Sequence, residues 1–562
     1  MAANYMQWLG VAQLFLLYSL LPSQVYSQQL LEEKWQFIQN IEYIFGPRTV
    51  RLNDGSMVLG TSYLVDSSIY VAYKGDTVLW YQRFDEYDPI IQGVRPDGRI
   101  EWTYREDTVN SELLISLTSS PSNSIYFVAE AHESKIYTSL PPPKSRKLIG
   151  NNDLLVVKLG ADHRKVWEKV YGGEARERIS SIELNDKNEL FIAGGTESVT
   201  GAMTHNNGYV DMWALKLDSA AEILWSTTIG GGMWDLALGT LPLPDGGCVV
   251  FGESLSNDGD FPENVAGMDA WVIRLSNKGE VLWKQRFGGN GYDAFKDAVL
   301  YNGKILLTGK CNSTDVHQTN PTWRDQYDFW LVALDIDGQV LTNRFYGGWG
   351  QEESVKIGTS NGRIALAGTT RTHFQDPDHG DVYVPKQKLY EKQNDTDWWI
   401  IELDSTYNVL GSVVYGGREN ESVNDMFMWS NEVTVAGETM SRDGDVVGST
   451  AGPGGVRVSS WYVTFTLPHT PASLSSNNEI ENAVVVRYTP GSKSIDIQSS
   501  TYDIQPTELT LVNLRGELLP FHAEQVSRQQ VALTVERPNV GPVFLVWKGK
   551  STTEKVFKVL IF

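Results

Sequence analysis

Carboxylates, glycines and aromatic residues recur along this chain at fixed spacings, and any chemistry would have to be built from them. An acidic residue stands four positions after a Gly-Gly pair at Glu177, Asp235, Asp293, Glu352 and Glu421. A second series, Asp153, Asp211, Asp269, Asp328 and Asp397, heads a run of apolar residues. Carboxylates can act as general acid and base, but hydrolysis of a glycosidic bond needs one asymmetric pair at a set separation. Residues that repeat in register serve the repeated unit. Both series therefore read as side chains that fasten turns by accepting backbone N–H groups. The aromatic residues Trp234, Tyr292 and Trp349 occur in consecutive Gly-Gly loops and do not repeat. They are the candidate ligand-binding residues, able to form a platform for a sugar ring or a peptide. The competing reading is packing between neighbouring units, because Trp is seldom left exposed.

The remaining polar groupings carry less. Ser256-Asn-Asp-Gly-Asp-Phe261 and Ser441-Arg-Asp-Gly-Asp-Val446 resemble calcium loops but lack the closing glutamate of a twelve-residue loop. His373, Asp376, Asp378, His379 and Asp381 gather in one long insertion without the spacing of a known metal site. There is no His-Glu-x-x-His and no phosphate-binding glycine loop. No catalytic residue, metal site or cofactor is assigned. Cys248 and Cys311 read as unpaired thiols, with a disulfide as the alternative.

The elements that position these residues come from the repeat. Asp269-Ala-Trp-Val-Ile-Arg-Leu275, a turn, and Val281-Leu-Trp-Lys-Gln-Arg-Phe-Gly-Gly289 are echoed from Asp211, Asp328 and Asp397, and more loosely from Asp88 and Asp153. Each unit closes on a small residue: Ala129, Gly194, Gly252, Gly309, Gly368 or Gly437. Four short strands per unit, repeated in one chain, predict an all-β protein with a β-propeller. Six units are complete. Strand 460–467 is expected to complete a seventh blade begun at Trp35, which closes the ring and removes its open edges. Seven blades follow, or eight if the stretch from Ile69 to Phe84 is a degenerate blade and not an inserted hairpin. Alternating strand direction puts the Gly-Gly loops and the long variable connections on one face, opposite both ends of the propeller chain. Long loops on a rigid scaffold are where function usually sits.

Charge and hydropathy bound the function. Lys and Arg total 47 against 69 Asp and Glu, a net charge of −22. Such a surface repels nucleic-acid and membrane phosphates. Residues 1–27 contain a short apolar run from Leu9 to Leu21 and read as a signal peptide cleaved before Gln28. No later stretch is apolar for long enough to span a bilayer as a helix. The propeller is expected over 28–467 and a linker over 468–478. Alternating strands over 479–562 read as a small β-sandwich.

The C-terminal segment resembles the sorting domain of type IX secretion in Bacteroidetes. The resemblance rests on Ser494-Ile-Asp-Ile497, Leu511-Val-Asn-Leu-Arg-Gly-Glu-Leu518, Gly541-Pro-Val-Phe-Leu-Val546 and Thr553-Glu-Lys-Val-Phe-Lys558. The propeller is similar to the Asp-Gly-Asp and Gly-Gly repeats of large secreted proteins of those bacteria. The resemblance implies the type IX machinery as a partner, and passage through the periplasm to the cell surface or the medium. It implies no particular ligand. A non-catalytic surface or secreted protein, binding a glycan or protein on the loop face, is the favoured reading. The alternative is an extracellular polysaccharide hydrolase or lyase.

Overall fold

In the computed structural model most of 32–467 and the strands of 484–560 are described. Residues 1–31, 468–483 and 561–562, and loops including 139–145, 316–326, 373–380, 383–394 and 447–457, lie outside the described residues. The signal peptide, the linker and four members of the His/Asp cluster (His373, Asp376, Asp378 and His379) therefore fall outside them. The chain divides into two compact units, Met1–Pro468 and His469–Phe562.

The first unit is a seven-bladed β-propeller built from seven four-stranded antiparallel sheets. From the innermost strand outward, blade 1 is Ile44–Arg51, Met57–Val65, Glu86–Val94 and Ile100–Arg105. Blade 2 is Ser111–Ser119, Ile125–His132, Asn152–Leu159 and Lys165–Tyr171. Blade 3 is Glu177–Leu184, Leu190–Thr196, Asp211–Leu217 and Ile223–Ile229. Blade 4 is Asp235–Pro242, Cys248–Ser254, Asp269–Leu275 and Val281–Phe287. Blade 5 is Asp293–Tyr301, Lys304–Cys311, Asp328–Leu334 and Val340–Tyr346. Blade 6 is Glu352–Ser360, Arg363–Thr370, Asp397–Leu403 and Val409–Tyr415. Blade 7 is Glu421–Trp429, Glu432–Thr439 and Ser459–Thr466, with Glu32–Gln39 as its outermost strand. Each inner strand contacts the next around the ring, and blade 7 meets blade 1.

Burial explains the sequence of each strand. The middle two strands of a blade are covered on both faces by neighbouring blades, so Asp211–Leu217 and Cys248–Ser254 are buried throughout. Outer strands such as Val281–Phe287 are exposed or half-buried along their whole length. The core is not one mass but a cluster at each blade junction. Tyr126, Leu154 and Trp213 join blades 2 and 3, and Phe329, Leu366 and Trp399 join blades 5 and 6. Aromatic rings stack across these junctions: Phe329 on Trp399 at 4.8 Å and Trp398 on Trp461 at 4.2 Å.

Closure differs in phase from the sequence reading. Strand Ser459–Thr466 does pair with the N-terminal strand, Glu32 opposite Thr466 and Gln39 opposite Ser460. The N-terminal strand, however, completes the blade that begins at Glu421; it does not open a blade continued by Met57–Val65. The sequence unit straddles two blades. Its first two strands are the outer pair of one blade and its last two are the inner pair of the next. The strongest repeated marks, Asp-x-Trp and Gly-Gly, flank the outer pair, so periodicity alone could not fix where a blade starts. Strand directions are unaffected, and the Gly-Gly loops stay on the face opposite the propeller's ends. Ile69–Lys74 and Thr77–Gln82 form a hairpin joined by Tyr137–Thr138, an insertion within blade 1 and not an eighth blade.

The second unit has two antiparallel sheets. One has Val484–Thr489, Ser494–Ser499, Gln530–Val535 and Phe521–Ser527 in that order, and the other has Leu509–Asn513, Pro542–Lys548 and Glu554–Leu560.

Candidate functional site

The repeated acids are structural. In every complete Gly-Gly loop the second glycine donates its N–H to the acid four positions on: Gly173 to Glu177 (3.1 Å), Gly231 to Asp235 (2.7 Å), Gly289 to Asp293 (3.0 Å), Gly348 to Glu352 (3.1 Å) and Gly417 to Glu421 (3.1 Å). Hydroxyls from the end of the second strand add to these bonds: Thr196 and Ser198 on Glu177, Ser254 and Ser256 on Asp235, Thr370 and Thr372 on Glu352. All five acids are buried. The Asp-Gly-Asp segments bind the same loops. Asp258 accepts from Gly232, Asp260 from Gly230, Asp443 from Arg418 and Asp445 from Gly416. Asp381, from the His/Asp cluster, accepts from Gly347 at 3.4 Å. Among the described residues no group of three or more His, Cys, Asp or Glu is placed to hold a metal ion.

Trp234 and Tyr292 occupy equivalent positions, each immediately before an inner strand at the loop-face mouth of the central channel. Trp349 sits two residues earlier in its loop and is 38% exposed. No ring contact among the described residues links any two of the three, so they do not form a single stacked platform. Two separate aromatic groups form instead. The Trp234 ring lies under the Arg178 guanidinium at 4.8 Å and meets Tyr209, itself 61% exposed, at 5.9 Å. Tyr292 donates its hydroxyl to Glu253 Oε2 (2.8 Å), meets Tyr327 edge-on at 6.1 Å and shares the Lys310 ammonium with it. Burial and Glu253 push the Tyr292 phenol well above its ordinary range, so its hydroxyl stays protonated as a donor. Sequence reasoning missed Tyr209 and Tyr327. Their signal was available: both fall one or two residues before a unit-heading Asp, where the units headed by Asp153, Asp269 and Asp397 carry no aromatic residue.

Below the mouth, the inner strand of every blade has a bulge. The residues that resume pairing after it form a ring: Arg48, Ser116, Ser181, Gly239, Asp297, Lys356 and Asp425. Blades 5, 6, 7 and 1 thus present Asp, Lys, Asp and Arg in alternation, while blades 2, 3 and 4 present small neutral residues. The charges also serve the backbone. Asp297 accepts Ile357 N–H (3.0 Å), Asp425 accepts Thr49 N–H (2.9 Å), and Arg48 donates to Ile115 C=O (2.5 Å), each across a blade junction. Glu183, exposed to the channel but walled in by protein, is pushed up to about 8 by desolvation and by Asp297 and Asp425, with Lys356 opposing.

Cys248 and Cys311 are buried thiols that form no disulfide. Burial raises the Cys248 thiol to about 12, and raises Cys311 further, aided by the Asp293 carboxylate. Neither is a nucleophile at neutral pH.

No family model matches the chain, and no curated protein matches it. Among solved structures, it is similar to a protein of unknown function from Dyadobacter fermentans (8% identity, covering 78% of this chain and 99% of that one, TM-score 0.35). It is also similar to the β-propeller domain of the Trilobed protease from Pyrococcus furiosus, described as having an open velcro topology (11%, 72% and 91%, 0.36). A third likeness is to the WD40 β-propeller domain of Doa1 (10%, 77% and 96%, 0.35).

Proposed function

We propose that this chain is an exported, non-catalytic binding protein that holds a glycan or a protein partner at the loop-face mouth of its channel, between blades 3 and 5. One observation carries the reading. The residues that repeat are spent on the loops, whereas the departures from the repeat, Trp234, Tyr209, Tyr292 and Tyr327, gather at the mouth beside Arg178, Lys310 and Glu253. Aromatic faces ringed by cations, a carboxylate and a hydroxyl suit sugar C–H faces and hydroxyls, or a peptide bearing both apolar and charged groups. Below them Ser116, Ser181 and Gly239 leave the near wall of the channel free of bulk. Trp349, exposed on the next loop, extends the surface.

Delivery follows from the second unit. Its resemblance to type IX sorting domains supports export through the periplasm to the surface or the medium. No helix among the described residues is long and apolar enough to cross a membrane.

A hydrolase or lyase reading has one observation in its favour. Desolvation and the negative charges of Asp297 and Asp425 push Glu183 up to about 8, so that it would keep its proton at neutral pH as a general acid must. The experiment that separates the readings is a glycan and protein-binding screen on the mature chain with a polysaccharide-degradation assay alongside. Binding weakened by Trp234→Ala, with no product formed, supports recognition. Product formation abolished by Glu183→Gln supports catalysis.

A further inference from the structure

We propose that four of the five complete Gly-Gly loops are each fastened by two buried carboxyl groups that share one proton, so that the propeller's loop face is held firmly in mildly acidic medium and loosens as the pH rises past neutrality. The pairs are Asp153 with Glu177, Asp211 with Asp235, Asp328 with Glu352 and Asp397 with Glu421; in the fifth loop Asp269 and Asp293 meet in the same way, with Arg286 on Asp269 as the counter-charge. In each, the Asp lies at the start of the third strand of one blade and its partner heads the inner strand of the next. All of these acids are buried.

The first glycine of the loop records their approach. A Cβ on Gly172 would lie 2.2 Å from Asp153 Oδ1 and 2.6 Å from Glu177 Oε2. On Gly347 the distances are 2.2 Å to Asp328 and 2.8 Å to Glu352. On Gly288 they are 2.8 Å to Asp269 and 2.5 Å to Asp293, and Gly416 is crowded in the same way by Asp397 and Glu421. At these four glycines both carboxyl groups converge over a position that only glycine leaves empty, within about 5 Å of each other, where two ionised groups repel strongly; the position over Gly230 is crowded by Asp211 at 2.3 Å.

Compensating cations are scarce. Arg286 pairs with Asp269 at 3.0 Å, and His205 faces Asp211. Asp153, Glu177, Asp211, Asp235, Asp293, Glu352 and Glu421 form no ion pair among the described residues. The loops bring more charge: Asp258 and Asp260 in the Asp235 loop, with Lys284 on Asp260 at 3.0 Å; Asp315 on Asn290 N–H; Asp381 on Gly347; and Asp443 and Asp445 around Gly416, with Arg418 on Asp443 at 3.3 Å. Hydrogen bonding locates the proton in one pair. Asp235 receives Gly231 N–H and the Ser254 and Ser256 hydroxyls, as an acceptor does. Asp211 Oδ2 accepts Asn207 N–H at 2.7 Å, whereas Asp211 Oδ1, buried, has no hydrogen-bond partner among the described residues and is the oxygen open to protonation. Burial and the partner's charge raise Asp211 to about 6 and Glu421 to about 8, and Glu352 well above the carboxylate range. The blade 1–2 junction, which lacks the Gly-Gly pair, is the contrast. There buried Arg146 binds Glu106 at 3.1 Å, and Glu112 and Glu168 as well, and Lys165 binds Glu106 and Glu168, so two cations sit directly among the carboxylates.

A carboxyl group that binds its proton more tightly when folded stabilises the fold fully below the ordinary carboxylate range. That contribution is lost as the pH climbs through the folded-state value, here between about 4 and about 8. The test is calorimetric unfolding of the mature full-length chain from pH 5.5 to 9 in about 0.5 M salt, which screens the surface charge. Buffers of differing ionisation enthalpy count the protons released. The expected result is a Tm that falls across this range, with net proton release on unfolding at pH 7. Glu421→Gln, which keeps the hydrogen bonds without the titration, should release about one proton fewer and lose Tm less steeply. Glu280→Gln, on an exposed turn, should follow the wild type. Glu352→Gln serves in place of the first variant if that does not fold, and the wild-type proton count stands by itself. A Tm that is flat or rises to pH 9, no proton release, or a foldable Gln variant with the wild-type slope would overturn the proposal.

Discussion

Glycine is where the loop chemistry is most exposed to test at the residue scale. Gly172 has no unusual backbone angle to protect; it is needed because Asp153 and Glu177 occupy the place of its side chain. Gly172→Ala should therefore cost about 1–3 kcal/mol, as an overpacked core does. Gly303 is the opposite case, with φ of +75° and nothing within 4 Å, so Gly303→Ala meets only the left-handed backbone penalty of about 1–2 kcal/mol. Chemical denaturation of the two variants checks both costs, and a Gly172→Ala variant within about 0.5 kcal/mol of the wild type would remove the carboxyl pair as the reason for the motif. The turn-fastening role of Glu177 and its equivalents was legible because it repeats. Their approach to the unit-heading Asp was not, since the two acids lie some 24 residues apart in sequence and meet only across a blade junction. The same limit applies to the candidate site. Trp234 and Tyr292 stood out as aromatic residues in Gly-Gly loops, but Trp349 looked equivalent until its loop position placed it two residues away. The cations over the rings, Arg178 and Lys310, come from strands that periodicity treats as scaffold.

Among the elements, closure is the most consequential. Glu32–Gln39 has one strand partner, Ser459–Thr466, which is itself held by Glu432–Thr439. Ending the chain at residue 459 removes the middle of that arrangement. It strands the N-terminal strand and opens an edge on Glu432–Thr439, so the fragment should aggregate or unfold non-cooperatively. A soluble 28–459 fragment with a single sharp transition would contradict the closed ring. The pairing was readable from the Trp35 and Trp461 strands alone. Blade phase was not, because a propeller's repeat has no marked origin. Nor were the inner-strand bulges, whose ring of Arg48, Asp297, Lys356 and Asp425 depends on one extra residue per strand that no side-chain pattern announces.

For the whole molecule, two units with separate strand sets predict separable roles. Deleting 470–562 should leave the propeller folded and the protein in the periplasm; normal amounts at the surface or in the medium would rule out sorting by this unit. The central claim concerns the other unit: that the loop-face mouth recognises a ligand through its non-repeating aromatic groups. The most direct measurement is binding of the mature chain to arrayed glycans and surface proteins, compared with a Trp234→Ala/Tyr292→Ala variant whose melting has been recorded first. The account predicts a specific ligand for the wild type and a loss of at least tenfold in affinity for a variant that still melts cooperatively, as when anchoring aromatic residues are removed from an interface. Unchanged affinity in a folded variant would contradict it.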